Sequence, residues 1–426
     1  MYNIRYIKIY IFYGKKNIKI LCYIYSKMNI LHDNVTKYMI IILCITLFLI
    51  ICIWFYKLLR LDVEHMVNIE PIDRPVKWKM SDGCKYMMTK TFKTVLDKNN
   101  LKETKDDDYV IYFPCTYNKI DDEIKAVKPK KSDQRIFIVN NADELSSKSS
   151  IWKNLVSKYG RDGAKKIMPT TYVLYDSNDV DLLKKEYNKY NIYILKKNIQ
   201  RQEGLKITKD LDKMVNGYKD GYVVAQELLQ DPYTINGRKI NMRFYLLLVC
   251  KNNEVSAYAH EEGFMYYTKV HFVKGSLSDD TNITTGYIDR KVYEENPLTL
   301  GDFRNYLDNN HRKLTPIEIS YMEQNVLLSA LVFNRIYDLL RKVVIAVSHT
   351  TCIDSHLKSN ITFQLFGADI ALNDKLEPQL MEVNKGPDLG TKDERDGNIK
   401  HGVVTDVFKI LKVLPNNGHK FIKILE

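Results

Sequence analysis

The 426-residue sequence predicts an α/β fold of the α+β kind, preceded by one transmembrane helix. Three observations lead there: short apolar runs alternating with helical periodicity up to Tyr159, longer strand-like runs after Tyr193, and an uncharged stretch of 19 residues near the N-terminus.

The uncharged stretch, residues 38–56, is rich in Ile and Leu, ends in Trp54, Phe55 and Tyr56, and is flanked by Lys37 and Lys57. That length spans a bilayer and puts aromatic residues at an interface, so a single-pass anchor is expected. A signal peptide is the alternative, but the run is long for one and has no small-residue cleavage site. The predicted division is residues 1–37 as an N-terminal segment with Met28 as a second possible start, 38–56 as the span, 57–82 as a linker containing Pro71 and Pro75, 83–160 as a small α/β domain and 161–426 as the main body.

Within the body, residues 109–114 and 135–139 predict buried strands and 151–159 a helix. Longer strands are expected at 222–228, 240–250, 254–260, 362–370 and 379–384. Between them, residues 317–347 carry Val326, Leu327, Ala330, Leu331, Ile336, Leu339 and Leu340 at helical spacing and predict one or two amphipathic helices.

Of the net charge of +12, the first 60 residues hold +8, leaving the body at +4. That balance argues against a nucleic-acid binder. The seven cysteines are scattered with no C-x-x-C pair, and are expected to be reduced thiols without a structural zinc.

Three segments can carry chemistry. In the strand 379–384, alternation puts Glu382 and Asn384 on one face and sends Met381 and Val383 the other way. A turn at Asn373, Asp374 and Lys375 folds this strand back on 362–370 and brings Asp369 to the same spot. Three such oxygen ligands suit Mg²⁺, although a plain hairpin with a wet face has the same pattern. Lys196 ends a strand below a polar loop, where a lysine reaches phosphate or is simply solvated. Lys239, Asn241 and Arg243 alternate with Ile240 and Met242, which makes either a binding face, with Arg243 able to grip a carboxylate, or a salt-bridged sheet surface.

Taken in order, these segments resemble the tubulin tyrosine ligase-like family, whose members have the ATP-grasp fold. The similarity runs over residues 135–414 and is carried by 140–148 with Asn154 and Leu155, 168–172, 194–196, 223–228, 237–243, 281–282, 363–369, and 382–384 with Pro387. The resemblance implies that residues 161–426 form the central and C-terminal ATP-grasp halves. It implies ATP and Mg²⁺, with Lys148 and Lys196 on the phosphates, Gln226, Glu227 and Leu228 against adenine, and Lys239 and Asn241 facing the nucleotide. Asp369, Glu382 and Asn384 become metal ligands, and Arg243, Thr281 and Asn282 line the substrate pocket. Lys196, Arg243 and Glu382 are the expected catalytic residues.

The implied activity is an ATP-dependent ligation of a free amino acid to a glutamate carboxylate of tubulin, or of another acidic protein, through an acylphosphate. A body that uses ATP faces the cytosol. The seven bases before the span oppose that orientation, whereas a start at Met28 leaves only Lys37 there and favours it. Lys197, Gln202, Asn241 and Tyr266 depart from the family's usual proline, glycine, aspartate and arginine, and leave the amino acid unnamed. The competing expectations are a non-catalytic, membrane-tethered protein binding nucleotide or tubulin, and a ligase acting on a different carboxylate.

Overall fold

The computed structural model describes residues 10–13, 16–19, 67–84, 90–117, 120–137, 139–199, 204–284, 288–309, 315–324, 326–353 and 356–425. The chain divides into two units, Met1–Glu64 and His65–Glu426. In the first, strands β1 (Tyr10–Tyr13) and β2 (Lys16–Lys19) pair antiparallel. The expected span at 38–56 lies outside the described residues. Among the described residues, no helix is long and apolar enough to cross a membrane.

The second unit is mixed α/β, as predicted, and is built on two sheets. Its strands in chain order are β3 (Lys77–Met80), β4 (Lys102–Glu103), β5 (Ile111–Phe113), β6 (Arg135–Ile136), β7 (Thr171–Val173), β8 (Tyr193–Lys196), β9 (Leu205–Thr208), β10 (Val224–Glu227), β11 (Thr234–Ile235), β12 (Arg238–Lys251), β13 (Glu254–Tyr267), β14 (Ile361–Leu372), β15 (Pro378–Asn384) and β16 (Phe421–Leu425). The large sheet runs β16-β13-β12-β14-β6-β5-β3-β4, with β11 paired to β12 and β15 to β14.

Strand β12 shows why this sheet sits where it does. Its Met242, Phe244, Leu246 and Leu248 enter one core with Val332, Phe333, Ile336, Leu340 and Val344 of helix Leu328–Val347. The alternate residues Tyr245, Leu247 and Val249 enter a second core with Phe92 and Leu96 of helix Lys90–Lys98 and Val404, Val407 and Phe408 of helix Glu394–Ile410. A strand apolar on both faces is covered on both faces, and each fully buried aliphatic side chain contributes about 1.5–3 kcal/mol.

The structure modifies three expectations. The segment 57–82, read as a linker, buries Val67 and Ile69 and carries β3, which pairs in parallel with β4 and β5. The region 83–160 does not keep a sheet to itself: Arg135 and Ile136 of β6 pair in parallel with Ile361 and Thr362 of β14, so the N-terminal strands extend the main sheet. The cysteines are not all free thiols, since Cys84 is joined to Cys115 and Cys250 to Cys352, each pair with Cα atoms 5.4–5.5 Å apart. Spacing in sequence gives no sign of either pair, because 31 and 102 residues separate the partners.

The predicted helix 151–159 is part of helix Lys148–Lys165, which breaks at Gly160 (φ 69°), and the segment 317–347 forms two helices, Pro316–Met322 and Leu328–Val347. The small sheet, β7-β10-β8-β9, is antiparallel throughout and packs Tyr172, Leu174, Tyr193, Leu195 and Ala225 against Leu183 and Met214 of the helices Ser177–Glu186 and Leu211–Val215. A cleft opens between the two sheets.

Candidate functional site: a cationic cleft around two carboxylates

The cleft is lined from the small sheet by Ile194, Lys196 and Gln226–Leu229, and from the large one by Lys239, Ile240, Asn241, Asp369, Met381 and Glu382. Register places its charged groups. Arg243 of β12 lies directly opposite Asp369 of β14, and Asp369 directly opposite Glu382 of β15, while Asn384 faces Gly367. The hairpin expected from the Asn373–Lys375 turn therefore forms and brings Asp369, Glu382 and Asn384 together.

A bulge interrupts this hairpin. Asp369 pairs with Glu382 and Ile370 with Leu380, which leaves Met381 without a cross-strand partner. Simple alternation sends Met381 away from Glu382, but the bulge lets both line the cleft. The Met381 carbonyl, released from the ladder, accepts from Lys196 Nζ at 3.4 Å. Val383 packs into the core as expected.

Arg243 grips Asp369 with two bonds, Nε to Oδ1 at 2.5 Å and Nη2 to Oδ2 at 3.0 Å. Asp369 is wholly buried, and burial pushes its carboxyl up to about 6 although Arg243 pulls the other way. Burial also opposes ionisation of Glu382, but Lys148, Lys196 and Arg243 outweigh it and hold that carboxyl below its ordinary value. Lys148, the first residue of its helix, stands 3.8 Å from Glu382 and donates to the Ile199 carbonyl.

Lys196 Nζ donates to Gln226 Oε1 at 2.6 Å, and the Gln226 amide in turn donates to Thr171 Oγ1 at 2.8 Å, which fixes the amide's orientation. Burial lowers the Lys196 ammonium to about 8, with Glu382 partly restoring it. Burial lowers Lys239 to about 8 as well, and Lys196 adds to the effect by repulsion. Unfolded lysines keep their protons to 10.5, so between about pH 8 and 10.5 the unfolded chain binds more protons than the folded one. Stability from these two groups therefore rises with pH across that window. Melting curves of the parent and of Lys239→Met from about pH 7 to 10 should show the parent gaining Tm on the variant as pH rises.

Other expected residues sort differently. Glu227 accepts from Asn191 Nδ2 at 3.1 Å, and the Leu228 N–H is bonded to the Ile192 carbonyl. Asn241 accepts the Met242 N–H with its own Oδ1. Thr281 turns its hydroxyl into its own loop, to Ser276 and the Ser278 carbonyl. Asn282 lines the cleft on the wall of Lys239 and Asn241, and its Oδ1 is buried with no partner in the protein. Of these two residues, only Asn282 presents a free acceptor. Tyr266 lies against Arg243, ring centroid 5.6 Å from the guanidinium carbon, and burial raises its phenol so that it stays neutral. Gln202 lies outside the described residues.

Asp369, Glu382 and Asn384 supply the hard oxygen donors that Mg²⁺ selects, on adjacent strands. Among the described residues no three His, Cys, Asp or Glu side chains gather to form an all-protein cage, so a cation here would share its shell with phosphate oxygens or water. A wider groove of about 1160 Å³ lies elsewhere, lined by His260, Glu262, Asp302, Asp406, Lys409 and Lys420 among others. There Lys420 pairs with Glu262, Arg395 with Asp302 and Lys409 with Asp406, and Asp393 and Glu394 add further acid, so it lacks the cationic excess of the cleft.

The sequence model of the tubulin-tyrosine ligase family matches residues 82–420. Similar curated proteins include tubulin glycylase 3B of Drosophila melanogaster, 23% identical over 71% of this chain and 39% of its own length. Tubulin polyglutamylase TTLL6 of Homo sapiens is 23% identical over 72% of this chain and 34% of its own, and probable tubulin polyglutamylase TTLL9 of Rattus norvegicus is 26% identical over 44% and 38%. The chain thus spans little more than a third of the length of these relatives.

Proposed function

Since this chain belongs to the tubulin-tyrosine ligase family, we propose that it is an ATP-grasp ligase joining a free amino acid to a glutamate carboxylate of an acidic protein, tubulin being the first substrate to test. One observation carries this reading: Lys148, Lys196, Lys239 and Arg243 stand around the buried Asp369, the partly exposed Glu382 and, further along the cleft lining, Glu227, and this excess of four cations over three carboxylates suits a polyanion such as the triphosphate of ATP. The relatives' names, glycylase and polyglutamylase, support an acidic protein acceptor and a free amino acid.

Lys148 and Lys196 hold the phosphates, while Lys239, Asn241 and the Asn282 acceptor face the nucleoside. Arg243 receives the acceptor carboxylate. A carboxylate oxygen attacks the γ-phosphorus, the bond to the bridging oxygen breaks and ADP leaves; the amine nitrogen then attacks the acyl carbon, orthophosphate leaves and the amine loses a proton. Asp369, Glu382 and Asn384 would hold Mg²⁺, which when bound neutralises phosphate charge. The residues' share of catalysis is positioning and fixed charge. A polyanion favours charged Lys196 and Lys239, so ATP affinity falls as pH rises through about 8, opposite to the trend in stability.

Residues 38–56 as an anchor, with the body in the cytosol, belong to the same proposal; extraction with alkaline carbonate and protease protection of the body test it. The activity is tested by incubating the full-length chain with ATP, Mg²⁺, tubulin and each labelled amino acid in turn. Label on the acidic tails is the expected result. ATP binding without transfer of any amino acid would instead establish the non-catalytic reading.

A further inference from the structure

Lys400 is buried, 3% exposed, and lies outside the cleft on helix Glu394–Ile410. Its ammonium donates to the Gly390 carbonyl of the preceding loop at 2.6 Å, pairs with Asp396 one turn earlier on its own helix at 3.0 Å and stands 4.0 Å from the loop's Asp388. Its ammonium also stands 5.3 Å from the ring of Phe264, the residue opposite Arg243 on β13. Asp396 is itself buried and accepts the Lys392 N–H.

This loop begins where the metal-type ligands end, at Asn384, and returns against Arg243. The Tyr117 ring presses on Gly386 so closely that a Cβ there would sit 2.6 Å from it. Pro387 and the Arg243 side chain both crowd Gly367, their atoms 3.0–3.2 Å from where its Cβ would stand. The Asp388 carbonyl accepts from the Tyr245 hydroxyl, two residues from Arg243 on the same strand face. Thr91 holds the Leu389 carbonyl from the other side. Lys400 thus ties down the loop that walls in Arg243, without touching the cleft itself.

We propose that Lys400 is a positioning residue: aimed by Asp396 of its own helix, it holds the Gly390 carbonyl and faces Asp388, fixes the loop 385–393 against Arg243 and so sets the geometry with which the acceptor carboxylate is received. The inference rests on the ligase reading. It assigns Lys400 to the acceptor half of the reaction and not to nucleotide binding.

The test uses full-length Lys400→Met in mild detergent, with an acidic peptide of consecutive glutamates as acceptor, phosphate release as the rate and a fluorescent ATP analogue with Mg²⁺ for nucleotide affinity. The expected result is a fall of about tenfold or more in kcat/KM for the peptide with nucleotide Kd changed by less than about twofold. Lys400→Met leaves Asp396 buried without its partner, so Lys400→Met/Asp396→Asn is measured beside it; the asparagine still accepts the Lys392 N–H, and this variant keeps the test alive if the single one fails to fold. Peptide kcat/KM at the parent value, or nucleotide affinity falling in parallel, overturns the inference. A parent chain that binds nucleotide but releases no phosphate with any peptide and amino acid overturns the ligase reading itself, a distinct outcome.

Discussion

Glu382→Gln is expected to abolish ligation, lowering turnover by about 10²-fold or more, because fixed charge aimed at a transferring phosphoryl group carries most of such catalysis. Glutamine keeps the size and one oxygen of the side chain but removes the charge that Lys148 and Lys196 face. It also removes one of the two carboxylates proposed to hold Mg²⁺. The fold tolerates the change, since Glu382 stands on the wall of the cleft and the hairpin is held by its ladder and by Val383 and Leu380 in the core. Measured turnover near the parent's, with a matching melting curve, would falsify the site assignment. Lys196→Ala is the companion variant: it withdraws a buried ammonium from Gln226 and the Met381 carbonyl, and should be equally inactive.

Arg243→Ala should cost both activity and stability. Removing one partner of a buried, doubly bonded ion pair typically costs about 3–5 kcal/mol, because the other charge is left without compensation. Here Asp369 is the charge left behind, and burial alone already pushes it upward. In the variant the carboxyl therefore takes up a proton more readily in the folded chain than in the unfolded one, and stability falls as pH rises through its folded value. Chemical denaturation should show the variant's deficit against the parent widening as pH rises above about 6, where the parent's Asp369 is ionised and the variant's still holds its proton. A deficit independent of pH would mean that Asp369 does not feel the loss.

Much of this site is legible in the sequence because it lies on strands. The period of two alone puts Lys239, Asn241 and Arg243 on one face, and a turn signal at Asn373–Lys375 is enough to bring Asp369 beside Glu382. What alternation cannot show is an interruption of itself, so the bulge at Met381 and the contact it gives Lys196 emerge only from the register. Long-range partners were equally hidden: the parallel pairing of β6 with β14 joins residues more than 200 apart, and nothing local to residues 57–82 announces that β3 belongs to the same sheet. Lys400 was missed because a lysine on an amphipathic helix reads as a solvated group, and only the loop that folds over it makes it a buried one.

The interrupted pairing in β15 has a consequence for how this segment can vary. At position 381 the number of residues matters more than their identity, since the cleft needs an extra link of chain there and asks little of its side chain. Exchanging Met381 for another unbranched residue preserves the phase of everything after it. Deleting it would let Leu380 and Glu382 pair consecutively with Ile370 and Asp369 in an unbroken ladder, so that Glu382 and Asn384 keep their places while Lys196 loses the carbonyl that the interruption turns toward it.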